Sequence, residues 1–164
     1  MIFRLTQKLA EKIKVVPQTA LPPHIDPFLD WTAHLFMISR WQTLIVTNSR
    51  SLYSVIIPGK GVSSEQSFVE QVMIALRQYM IIDETISIFD DHIAPASEAT
   101  TFCKASDRRV LGSMNDLIHN ARTDLLETLM PFPLMLARLN EMPMSLLGYG
   151  RPRDVFLLLS DRVK

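Results

Sequence analysis

The chain predicts an α+β fold, a largely antiparallel sheet of about five strands covered by two main helices and completed by short C-terminal helices. Three observations carry that expectation. Residues 31–57 contain three runs rich in β-branched and aromatic residues, separated by short polar turns. Segments 65–80 and 107–129 repeat apolar residues at a 3.6 period. The 48% hydrophobic content against 21% charged residues supplies enough apolar area for a core, which excludes a disordered chain. The 164 residues fit a single domain, with a core over 1–130 and a proline-punctuated helical tail over 131–164.

Met1 to Leu5 is β-prone, and Thr6 stands where it can cap a short helix over Gln7 to Lys14, with Leu9 and Ile13 on one side. Prolines 17, 22, 23 and 27 fix φ and remove amide donors, so that stretch reads as an ordered surface crossing. Trp31–Ile38, Trp41–Thr47 and Leu52–Ile57 then form an antiparallel meander. Ser63 and Gln66 have capping-box spacing at the head of a helix whose apolar stripe includes Phe68, Val72, Leu76 and Met80. Residues 83–92 satisfy neither period cleanly and lean towards helix, Ala94–Ser97 reads as loop, and Thr100–Lys104 as a strand. Ser106 is the expected cap of the long helix to about Leu129, with Val110, Met114, Leu117, Ile118, Ala121, Leu125 and Leu126 in its stripe.

The 17 Lys and Arg balance the 17 Asp and Glu, so the overall field of a dedicated nucleic-acid or membrane-surface binder is missing. The single cysteine, Cys103, excludes an intrachain disulfide and a multi-cysteine metal site, which fits a reducing compartment. The apolar runs fall short of the ~20 residues that cross a bilayer, and no secretory leader pattern opens the chain. A cytoplasmic location without membrane contact is the expectation.

The polar side of the long helix is the candidate surface. Arg109, Ser113, Asp116 and Asn120 share one flank at i, i+4, i+7 and i+11, while Arg108, Asn115, His119 and Arg122 line the other. Arg108, Arg109, Asp116, His119 and Arg122 are therefore the candidate binding residues. Gly112, inside the helix, suggests close approach of a backbone, a ligand, or a ring such as Trp31 or Phe36. His34 has the titration range of a general base, yet Phe36 and Ile38 share its strand face, where a histidine is more often a hydrogen-bonded core residue. No G-x-S-x-G elbow supports a nucleophile, and Cys103 most simply packs. His24, Asp26 and Asp30, like Asp90-Asp91-His92, lack metal-ligand spacing, so no metal or cofactor is expected. Gly59-Lys60-Gly61 precedes a helix but misses the P-loop pattern at Ser54 and Gly61.

The blocks FRLTQKLAEKIKV, DPFLDWTAHLF, LIVTNSRSLYSVIIPGKG and DRRVLGSMNDL, in that order, resemble an uncharacterised bacterial family, a domain of unknown function. The resemblance spans residues 2 to about 120, with LNEMPMSLLGY as a further segment. It implies a bacterial origin and one domain, and it brings no activity, substrate or mapped site. The favoured expectation is a non-catalytic cytosolic interaction or regulatory module with a protein partner. The alternative is a small hydrolase or nucleic-acid-processing enzyme using His34, Arg109, Asn115 and Asp116. For nucleic acid, the available cations are Arg108, Arg109 and Arg122, the N-terminal Arg4, Lys8, Lys12 and Lys14, and Arg151 and Arg153; charge runs of this length are usually solvated faces.

Overall fold

The computed structural model describes residues 1–162; Val163 and Lys164, at the end of the expected tail, lie outside the described residues. Strand β1 (Ile2–Leu5) leads into helix α1 (Gln7–Ile13), and the proline segment returns through a 3-10 turn at Pro27–Leu29. The meander follows as β2 (Asp30–Ile38), β3 (Trp41–Asn48) and β4 (Ser54–Pro58). Next come α2 (Glu65–Ile82), a helical stretch made of α3 (Ile86–Ile88), a π turn (Phe89–Ile93) and α4 (Ala94–Ala96), and then β5 (Thr101–Lys104). Long helix α5 (Arg108–Leu126), α6 (Phe132–Glu141), α7 (Pro152–Leu157) and a 3-10 stretch (Leu158–Arg162) follow.

The five strands lie in the order β4-β3-β2-β1-β5. The meander pairs antiparallel as expected, but β1 runs parallel to both β2 and β5, so the sheet is mixed rather than largely antiparallel. The cause is the crossover: α1 and the proline segment carry the chain back along the sheet, so β2 starts from the same end as β1. Alternation sends Phe3 and Trp31 to one face and Arg4, Thr32, His34 and Phe36 to the other. Phe3 meets Phe68 of α2 edge-on at 5.2 Å, and α7 delivers Phe156 onto the same side, against Trp31, Phe28 and Tyr53. On the opposite face Arg122 of α5 lies 5.7 Å over the Phe36 ring, while Asn140 of α6 bonds the Ser54 backbone at the β4 edge. Helices thus cover both sides of one sheet.

Several local expectations shift. The capping box belongs to Ser64 and Ser67, one residue beyond the Ser63–Gln66 pair. Asp107 rather than Ser106 caps α5, because its Oδ1 accepts the amides of Arg109 (2.9 Å) and Val110 (3.4 Å). Ala94–Ala96 is helical, continuing the π turn instead of forming a loop. The long helix stops at Leu126, which is 51% exposed, while Asp124 is buried beside Arg138 of α6. Gly112 has open space where a Cβ would stand, so neither a backbone nor a ring such as Trp31 or Phe36 approaches it.

Candidate functional site

An arginine at the centre of a buried four-residue strand must find acceptors within the protein, and Arg4 finds them on two other segments. Its Nε donates to Asp30 Oδ1 at 2.7 Å and its Nη2 to Asp30 Oδ2 at 2.8 Å, a bidentate pair between β1 and β2. The remaining donors reach the carbonyls of Leu21 (2.8 Å) and Pro22 (3.0 Å) and the Cys103 Sγ (3.7 Å). The His24 amide donates to Asp30 Oδ2 at 2.9 Å. Burial alone would raise the Asp30 pKa, but the hydrogen bonds from Arg4 and the His24 amide, with Arg4's charge, hold it below the usual carboxylate value. The Asp30 bond likewise raises the Arg4 pKa. This pair ties the proline segment to the sheet.

The Arg4–Asp30 pair is the floor of a cavity of about 450 Å³. Thr32 Oγ1 and Ser49 Oγ stand 2.9 Å apart beside it, joined by Arg50 from the β3–β4 turn. Ser106, Asp107 and Arg109 from the head of α5 also line it, and Leu21, Pro23, Leu146 and Leu147 add apolar lining. Burial would raise the Asp107 pKa, yet the amides of Arg109 and Val110 and the Arg109 side chain, 3.4 Å away, lower it.

Of the sequence candidates, Arg109 lines this cavity, with a side chain 77% exposed, and Arg108 is its exposed neighbour on α5. Asn115, Asp116 and His119 are exposed farther along α5 and do not line it. Arg122 is 13 residues beyond Arg109, about 20 Å along the helix, where its Nε donates to the Met37 carbonyl at 2.8 Å. His34 is half-buried with Nδ1 3.1 Å from Thr6 Oγ1; burial, and then the charges of Lys8 and Arg122, lower its pKa. The structure therefore brings Arg109 to the proline segment and leaves His34, Asn115 and Asp116 elsewhere.

Thr32, Ser49 and Arg50 enter no site read from the sequence, and Asp30 enters only with His24 and Asp26 as a cluster without metal-ligand spacing. Arg4 figured only as a surface cation, and the signal for more was its place inside the strand IFRL, where an unpaired charge would be costly. The two acidic-histidine clusters do meet, His92 Nδ1 lying 2.9 Å from Asp26 Oδ2. Among the described residues, no group of three or more His, Cys, Asp or Glu side chains is placed to hold a metal ion. No helix among the described residues is long and apolar enough to cross a membrane.

A search of curated proteins finds no match. A family model does match, over residues 2–155, which include both strands of the Arg4–Asp30 pair and the head of α5. The chain therefore belongs to the family described as a domain of unknown function, DUF6933.

Proposed function

We propose that the chain is a non-catalytic binding module, bacterial and cytoplasmic, that seats an oxyanion in the Arg4–Asp30 cavity. The anion would be a carboxylate or phosphate carried by a small molecule or by a partner protein. One observation supports this reading above the others: both carboxylates of the cavity are already committed. Asp30 serves Arg4 and the His24 amide, and Asp107 serves the first amides of α5 and Arg109. The Arg4 donors are likewise spent on protein acceptors. What faces an occupant is Arg50, the exposed Arg109 and the Thr32–Ser49 hydroxyl pair. Such a set supplies charge-assisted donors to an anion, and it offers no uncommitted base to take a proton. The enzyme alternative would need His34, Asn115 and Asp116 beside Arg109 at one reacting centre, and they do not share this cavity.

Isothermal titration with glutarate and with inorganic phosphate at low ionic strength tests the proposal. Saturable binding of either anion is expected, weakened at least ten-fold, or about 1.4 kcal/mol, in the Arg50→Ala/Arg109→Ala double variant. Neither anion binding, or an affinity that the double variant leaves intact, would reject it.

A further inference from the structure

The β2–β3 hairpin tip, at the far end of α5 from the cavity, gathers cations that are scattered in sequence. Arg122 is held to it by its 2.8 Å bond to the Met37 carbonyl. Lys12 of α1 reaches it from the other side, its Nζ donating to Gln42 Oε1 at 2.6 Å. Arg40 is in the turn itself, with its guanidinium 5.1 Å from the Trp41 ring centre. Lys60 follows Gly59, whose amide bonds the Gln42 carbonyl at 2.8 Å. Among the described residues, none of these four side chains forms a salt bridge. Their charge is not offset by direct pairing, although the chain as a whole is neutral.

Trp41 opens β3 at this same hairpin end, 60% exposed even with Arg40 beside it, on the face it shares with Ile38. An indole so exposed at a strand terminus adds little to the fold. Cations that track a phosphate backbone, combined with an open aromatic face, form the arrangement that holds unpaired bases by stacking. We infer that this hairpin end is a binding surface for single-stranded nucleic acid. Single strands fit better than duplex, because a stacked duplex hides its base faces from a protruding indole. An acidic polypeptide would use the cations but not the ring. The inference is independent of the cavity, since none of these residues lines it.

Fluorescence anisotropy with a labelled 20-nucleotide oligo-dT at low salt is the direct test. Parallel arms use the matching duplex, polyglutamate, and phosphatidylglycerol vesicles. Binding of the single strand is expected, with a log–log salt slope of about −3 if the four cations each engage a phosphate. Trp41→Ala should weaken binding by about ten-fold, and Arg40→Glu/Arg122→Glu should flatten the salt slope. The exposed positions of Trp41 and Arg40 should leave the Tm of their variants close to the parent's. Trp31 is buried, so any quenching of emission by oligo-dT should vanish in Trp41→Phe. The inference fails if oligo-dT does not bind, if polyglutamate, duplex or vesicles bind as well as the single strand, or if Trp41→Ala binds unchanged.

Discussion

At the scale of single residues, the buried Arg4–Asp30 pair sets the largest expected effects. Removing one partner leaves the other charged and without its ion pair in the interior, so Arg4→Met or Asp30→Asn should each cost about 3–5 kcal/mol, read from urea unfolding. An apolar double replacement should recover part of that loss, since it leaves no orphan charge. The pH dependence follows from the same bonds. The Asp30 pKa is lower folded than unfolded, so its contribution is full above the unfolded value of about 3.9 and disappears as pH falls through the folded value. The wild type should therefore lose stability below about pH 4 more steeply than Asp30→Asn. His34 works in the opposite chemical sense with the same direction of slope. Its folded pKa is below the ordinary 6.5, so the unfolded chain binds the extra proton and stability rises with pH up to that value. Replacing His34 by Gln should flatten the rise in stability as pH climbs towards 6.5, as measured by urea midpoints on either side of that value.

At the scale of elements, what the sequence revealed followed periodicity and what it hid followed pairing. The meander and α2 were legible because alternation and the 3.6 period are written into consecutive residues. The parallel placement of β1 was not, since it depends on where a proline-rich crossing ends, and Arg4 meets an acid 26 positions away. In the candidate site only Arg109 was recognisable, because helical spacing shows which residues share a flank and nothing about what stands opposite them. Gly112 illustrates the same gap: its sequence context suggested a close neighbour, and the helix faces open space there. Gly112→Ala should thus stabilise the protein by about 0.5–1 kcal/mol through helix propensity. Gly59→Ala should do the reverse, because its new Cβ would stand 2.8 Å from the Gln42 carbonyl oxygen. Thermal melts of the two variants should therefore move in opposite directions.

At the scale of the whole molecule, the question is whether residues beyond 130 cover a finished core or complete it. Phe156 of α7 is fully buried, stacked 4.4 Å from Tyr53 and edge-on to Phe28 at 5.1 Å. Met135 and Leu139 of α6 are buried as well. Asn140 does more than pack: its side chain accepts from the Ser54 amide at 2.8 Å and donates to the Ser54 carbonyl at 2.9 Å, occupying the place of a neighbouring strand. The next outward-facing position but one is Pro58, which has no amide to offer, so the β4 edge is closed by a side chain at one end and a proline at the other. Chain ending at residue 130 would lose both the aromatic contacts and this edge closure. A fragment of residues 1–130 should show no cooperative melt and should bind a hydrophobic dye, whereas full-length Phe156→Ala should fold and lose about 3–5 kcal/mol. A sharp, reversible transition in the fragment would instead mean that the sheet and its first helices form a self-sufficient unit, with α6 and α7 added as cover.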